Sequence, residues 1–258
     1  MKAYSLNIGL TNRCNSMCIF CPVSRTKIQR EDIPLCVAEG VITEADIEHH
    51  VSLALFGEST LYKDLPAVIR MVKKKKLLSI LYTNGLFDEP EKLVRAGLDK
   101  IIFSLDAFSK EEYIKFKGVD GFDKVNENIK KMEGKLHVTV QYADLDYEKI
   151  DEPTSITKMG RCVTWGGEVE YMGTKERKIR EGKPCTHIFK FLNVASNGDV
   201  VMCCFDYNHL RVLGNVNDDN VMDIWNGREF KILREEQING VFNDMCLKCE
   251  NESYYTPY

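Results

Sequence analysis

The stretch that decides the fold is TNRCNSMCIFCP at residues 11–22, which follows directly on an apolar, strand-like run at residues 5–10. It places Cys14, Cys18 and Cys21 at spacings of four and three. Three thiolates occupy three corners of a [4Fe–4S] cube and leave one iron without a protein ligand. A structural zinc ion instead wants four closed ligands, usually from two C-x2-4-C pairs. No fourth cysteine or histidine lies close by in this segment, so an iron–sulfur cube is the better reading of the three.

Working outward, strand-like runs at residues 51–56, 77–82, 100–105 and 136–142 alternate with helical stretches at 64–76, 88–97 and 120–134. Each helical stretch opens on Asp as an expected N-cap, and the last two end at Gly. Strands alternating with helices imply βα units, a parallel sheet, and ligands at the C-terminal ends of the strands. Lys73–Lys76 reads as a solvated, dipole-matched helix end rather than a phosphate patch. The rhythm breaks after residue 145, and residues 153–182 are glycine-studded and irregular. Beyond them, Ser196-Asn197-Gly198 between two apolar runs predicts a β-hairpin, followed by a helix from about Met222 to Gln237 and then CLKC at Cys246–Cys249. The expected organisation is an α/β partial (β/α) barrel at residues 1–152, a linker and active-site wall at 153–183, and a small hairpin-plus-helix iron–sulfur domain at 184–258.

Composition sets limits on function. The chain has 258 residues, 44% hydrophobic and 29% charged, with a net charge of −4 spread along its length. No basic tract suggests nucleic acid, and no run approaches the ~18–20 apolar residues of a membrane span, so a cytoplasmic, soluble protein is expected. Ten cysteines are unusual for a reducing compartment, where they point to metal or catalysis rather than disulfides. Cys36 stands apart and is read as a small buried hydrophobe.

An open iron can chelate the amino and carboxylate groups of S-adenosylmethionine (SAM), so that one electron releases a 5′-deoxyadenosyl radical. The C-x3-C-x2-C spacing, with Phe20 before its last cysteine, resembles the signature of the radical SAM superfamily. FGES at residues 56–59 is similar to that family's glycine-rich second-strand motif, with one glycine where the family carries two. YTNG at 82–85 and SLDA at 104–107 are similar to its third and fourth strand ends. The resemblance implies SAM contacts for Phe20, Gly57, Glu58, Ser59, Asn84, Ser104 and Asp106, and a flavodoxin- or ferredoxin-type reductant.

Cys185, Cys203, Cys246 and Cys249, with Gly198 five residues before Cys203, resemble the shortened SPASM domain called twitch, which holds an auxiliary [4Fe–4S] cluster. Cys204 competes with Cys203 for one ligand position, and the spacing from Gly198 favours Cys203. A four-cysteine zinc site is the alternative there. Two [4Fe–4S] clusters and SAM are therefore the expected cofactors. The combined pattern resembles the aminocyclitol (2-deoxy-scyllo-inosamine) dehydrogenases, which oxidise a secondary alcohol to a ketone. That resemblance implies substrate-facing roles for Arg161, loosely matched to an Arg-Gly-Gly segment with Gly166-Gly167, and for Asp206. A radical SAM maturase acting on a ribosomal peptide is the second reading. Against it stands Cys14, whose early place gives the expectation that no leader-docking extension precedes it. A non-catalytic electron carrier or zinc module would not need FGES, YTNG and SLDA at successive strand ends.

Overall fold

The computed structural model describes residues 1–24, 28–143, 157–160, 165, 169 and 183–249. Its backbone is one nine-stranded sheet. Strands β1 (Ala3–Ile8), β2 (Ile47–Ser52), β3 (Leu78–Thr83), β4 (Lys100–Ser104), β5 (His137–Ala143) and β6 (Thr157–Gly160) run parallel, in sequence order from β1 to the β6 edge. Helices α1 (Leu35–Glu44), α2 (Leu65–Lys74), α3 (Glu91–Ala96), α4 (Lys110–Lys117) and α5 (Phe122–Met132) lie between them. On the other side of β1, β7 (Phe191–Val194) pairs parallel to it, and β8 (Asp199–Val201) and β9 (Val212–Asn215) continue antiparallel. The α/β partial barrel is thus joined to the C-terminal unit through a continuous sheet.

Alternation along the strands divides the sheet into two faces. Leu6, Ile8, Val51, Leu81, Ile101, Phe103, Val140, Leu192 and Val194 are buried in the main core. Helix α2 meets that core with Leu65, Val68, Ile69 and Val72, the i, i+3, i+4, i+7 stripe of an amphipathic helix. The opposite face carries Tyr82, Ser104 and Gln141, which line a cavity at the C-terminal end of the strands.

Several local expectations change. The second strand begins at Ile47 rather than 51, because the polar Glu48-His49-His50 hides its start, and Leu53–Phe56 belongs to the loop beyond it. None of the three aspartates expected as caps performs that task. Asp64 sits at the N-cap of α2 without a side-chain cap bond, and Pro90 and Gly121 occupy that position for α3 and α5. Lysines compete for these carboxylates: Asp88 accepts from Lys124 at 2.8 Å, and Asp120 lies 3.2 Å from Lys110. The glycine stops do hold, with Gly97 and Gly134 both at positive φ. Cys36 is exposed, because α1 buries Ala38, Val41 and Ile42 and turns position 36 outward. Strand β6 falls inside the segment read as irregular.

The hairpin forms as expected between β7 and β8, with Gly198 at φ +88°. The single helix expected after it is two, α7 (Val221–Asn226) and α8 (Arg228–Ile238). They break at Gly227, whose backbone is extended and where a Cβ would lie 2.7 Å from the Asp223 carbonyl oxygen. Short helices α6 (Thr186–Lys190) and α9 (Asp244–Leu247) flank the C-terminal cysteines. Among the described residues, no helix is long and apolar enough to cross a membrane.

Candidate active site and auxiliary metal centre

The cysteine loop after β1 is stitched down on both sides. Asn12 donates to Gln29 O at 2.7 Å and accepts from Glu31 N at 2.7 Å, and Arg13 forks onto Asp32 at 2.9 and 2.7 Å. On the other side, Met17 N and Ile19 N donate to the Lys117 and Phe116 carbonyls at the end of α4. Cys14, Cys18 and Cys21 line the cavity from this loop, together with Phe20. Burial is the main influence on the three thiols and pushes all of them up, Cys18 to about 12, while the nearby Lys117 charge works against it. Thiolate ligands must lose these protons when a metal binds.

The loop after β2 closes onto the cysteine loop through Gly57. This residue has φ +90°, and a Cβ there would lie 2.5 Å from Thr11 O and 2.8 Å from Arg13 O. The close approach explains why a glycine must stand immediately before Glu58. Glu58 N donates to Arg13 O at 2.7 Å. The buried Glu58 carboxylate accepts from Thr60 N, Thr60 Oγ1, Thr83 Oγ1 and Asn84 N, at 3.1, 2.7, 2.8 and 2.7 Å. It therefore clamps the ends of β2 and β3 together. Asn84 continues the chain of contacts, donating to Asn15 Oδ1 at 2.7 Å, Ser16 Oγ at 2.9 Å and Cys14 Sγ at 3.9 Å. Ser59 is buried at the start of a short 3-10 turn under this clamp.

Phe20, Gly57, Glu58, Asn84, Ser104 and Asp106 thus surround one cavity of about 290 Å³ with the three cysteines. Sequence reasoning did not single out Lys117, Tyr82, Gln141 or Trp165, which share it. Lys117 is the most consequential of these. Its ammonium is buried, 2.5 Å from Asp106 Oδ2 and 5.4 Å from the centre of the Phe20 ring. Burial alone would lower its pKa, but Asp106, with Cys18 adding to it, carries the net shift upward and keeps it charged. Asp106 takes φ +55°, a conformation that aspartate tolerates better than most residues. Only spatial proximity reveals this pair, whereas Tyr82 and Gln141 follow from their places at strand C-terminal ends.

A second cysteine group lies in the C-terminal unit. Cys185, Cys203, Cys246 and Cys249 are buried, and Cys204 is half-buried with its Sγ 3.5 Å from His187 Nδ1. Gln237 ties the group together by accepting from Cys185 N at 3.1 Å and donating to Cys246 Sγ at 3.7 Å. Burial, foremost, pushes Cys203 well up and Cys204 to about 12, with neighbouring cysteines adding to it. Cys203 feels Cys204, Cys246 and Cys185, whereas Cys204 feels Cys185 and Cys249.

Asp206 does not reach the cavity lining. Its buried carboxylate accepts from Leu210 N at 2.7 Å and Arg211 N at 3.0 Å, which makes it the organiser of the loop before β9. Arg161 lies outside the described residues, as do Cys162 and Gly166-Gly167.

Each cysteine group fits a cluster chemically. The first offers three thiols around an open cavity, with the Asn84 amide and the Lys117 ammonium near the sulfurs. The second offers five buried or half-buried thiols, enough to close four irons. Among the described residues, no three His, Cys, Asp or Glu side chains converge as holding a single ion requires.

Comparison with known proteins agrees with these two groups. Residues 8–158 match the Radical SAM superfamily, and residues 185–250 match SPASM, an iron–sulfur cluster-binding domain. A probable GTP 3′,8-cyclase of Saccharolobus islandicus is 41% identical over 133 residues, 48% of this chain and 42% of that protein. The match therefore spans about two fifths of that relative's length. The S-adenosyl-L-methionine-dependent 2-deoxy-scyllo-inosamine dehydrogenase of Niallia circulans is 25% identical over 269 residues, 99% of this chain and 96% of the relative. Among solved structures, BtrN in complex with AdoMet and 2-DOIA superposes with a TM-score of 0.72 at 20% identity, covering 99% and 97% of the two chains. Streptococcus suis SuiB bound to the precursor peptide SuiA gives 0.75 at 15% identity, covering 98% of this chain and 75% of SuiB. The protein belongs to the radical SAM superfamily, with a SPASM domain following its SAM domain.

Proposed function

We propose that this protein oxidises a secondary alcohol of a carbohydrate or aminocyclitol to a carbonyl, using two [4Fe–4S] clusters. The observation that carries this reading is likeness along the whole chain to a SAM-dependent dehydrogenase, over 99% of this chain and 96% of that relative. In it, Cys14, Cys18 and Cys21 would hold the first [4Fe–4S] cluster, and a cube with one iron left open would supply the reductive chemistry of SAM. Phe20, Gly57, Glu58, Asn84, Ser104 and Asp106 form the SAM pocket, with Ser59 buried beneath it. Within it Glu58 and Asn84 act by holding the loops, since their polar atoms already bond to them. Lys117 supplies the buried positive charge that a carboxylate of SAM would meet.

Cys185, Cys203, Cys246 and Cys249 hold the auxiliary cluster. Oxidation of the alcohol to a carbonyl would remove the carbinol hydrogen atom, the hydroxyl proton and one electron, for which an auxiliary cluster held here would be the acceptor. Arg161 is proposed to face the substrate, whereas the bonds of Asp206 favour a loop-building role for it. The division into 1–152, 153–183 and 184–258 is retained as functional units, with β6 closing the barrel sheet from within the second. A flavodoxin- or ferredoxin-type protein supplies the reducing electron.

The test is anaerobic cluster reconstitution, then incubation with SAM, dithionite and 2-deoxy-scyllo-inosamine as probe. Equal amounts of 5′-deoxyadenosine and ketone support the reading. Abundant 5′-deoxyadenosine with no ketone, from this or related polyols, would sink the alcohol assignment. The likeness to peptide-bound SuiB favours a second reading, a peptide maturase. Mass shifts in peptides encoded beside this protein's gene would then replace ketone as the product.

A further inference from the structure

The described residues contain a ring-to-ring bridge between the two cysteine groups, and its centre is Trp165. The indole Nε1 donates to Phe20 O at 3.1 Å, on the first cysteine loop one residue before Cys21. The same indole meets Phe205 and Tyr207 edge-on, with centroids 5.7 and 6.2 Å away. Phe205 in turn lies 6.3 Å from His187, whose Nδ1 is 3.5 Å from Cys204 Sγ. Around this bridge a small second core gathers Val23 and Phe56 from the barrel with Val201 and Tyr207 from the C-terminal unit, packed with Cys14, Cys21 and Trp165. Trp165 also lines the SAM cavity and takes φ +54°, a backbone state a bulky residue holds only when its surroundings impose it.

We infer that Trp165 is a positioning residue that couples the SAM site to the auxiliary-cluster loop. One end of the indole fixes the Phe20 carbonyl and so the lie of the first cluster loop. The other end is seated in the auxiliary loop at Phe205 and Tyr207. A change in the packing of the auxiliary loop is thereby felt in SAM affinity, although Phe205 does not line the SAM cavity. This inference rests on the assignment of SAM and of two clusters to this chain. It does not depend on which substrate is oxidised.

The test is a double-mutant cycle on the reconstituted, two-cluster enzyme, read as the dissociation constant for SAM by equilibrium dialysis under anaerobic conditions. Trp165→Leu and Phe205→Leu should each weaken SAM binding on the order of 10-fold, a common size for coupling between sites. The double variant should be no weaker than the worse single. Trp165→Phe, which retains a ring but not the N–H, should fall between parent and Trp165→Leu. Iron content and melting accompany each variant. Should Phe205→Leu lose iron, Tyr207→Leu takes its place in the cycle.

Unchanged SAM affinity in a folded, iron-replete Phe205→Leu variant would overturn the inference. So would strictly additive effects in the double variant, which would leave Trp165 and Phe205 as independent packing residues. A parent enzyme that binds no SAM would contradict the cofactor assignment itself, and that control is measured first.

Discussion

The two cysteine groups are built on opposite principles. The first hangs from a loop that is secured without metal, by Asn12 and Arg13 to residues 29–32, by Gly57 and Glu58 to the β2 loop, and by α4 from the other side. Its thiols open into a cavity. The second group is enclosed: four of its cysteines are 5–9% exposed, and Cys185, Cys203 and Cys246 pack in the same core as Trp225, Phe230 and Leu233. A site that must leave one iron open needs a scaffold independent of the cluster, whereas a site that encloses its cluster can use it as the core. Small units below a self-sufficient size commonly rely on such a staple.

The hardest test of that contrast is Cys246→Ala combined with Cys249→Ala. It should cost more than about 4 kcal/mol in the C-terminal unit, as loss of a structural metal does, seen as an early separate melting transition. Cys14→Ala with Cys18→Ala, melted in the same reconstituted state, should lose far less, because its loop is held by protein bonds. Equal melting losses in both variants would erase the distinction.

Lys117→Met comes next. It removes the ammonium from beside the buried Asp106, and breaking a buried pair costs about 3–5 kcal/mol. Denaturant titration measures this, and SAM cleavage should fall with it. Gly57→Ala should cost about 2–5 kcal/mol, from positive φ together with the clash against Thr11 O and Arg13 O. That change also pushes the first loop out of place, so SAM binding should fail while auxiliary iron is retained.

The smallest expected effect is on pH dependence. Burial keeps the Cys18 thiol protonated, moving it from 9.0 to about 12. Its folded pKa is raised, so its contribution to metal-free stability is present below about pH 9 and lost as pH climbs toward 12. Cluster incorporation follows the opposite course, because each thiol must release a proton, and it should improve from about pH 7 to 9. Melting curves of the metal-free parent and of Cys18→Ala at rising pH check the first half, with a steeper loss expected for the parent.

Much of this architecture is legible in the residues themselves. Strand periodicity locates β1, β3, β4 and β5 to within about two residues, and the Asn197-Gly198 hairpin forms where turn chemistry requires it. FGES, YTNG and SLDA converge on one cavity because parallel strands bring their C-terminal ends together. What stays hidden depends on contacts that neither periodicity nor motif encodes. Lys117 looks like an ordinary helix-end lysine until Asp106 faces it, and Asp206 looks available until Leu210 N and Arg211 N take its oxygens. Exposed aspartates near helix starts were drawn to lysines for the same reason. Gln237 and Trp165 carry no local signal, since Gln237 reaches back to Cys185 and Trp165 to Phe20, far from their own segments.

The most direct test of the central claim is iron content and 5′-deoxyadenosine formation measured together, on the anaerobically reconstituted parent and on the Cys14→Ala, Cys18→Ala, Cys21→Ala triple variant. The parent should carry about eight irons and form SAM-derived 5′-deoxyadenosine, and the variant about four irons and none of that product. Continued SAM cleavage by the triple variant, or a parent carrying stoichiometric zinc and no iron, would contradict that claim.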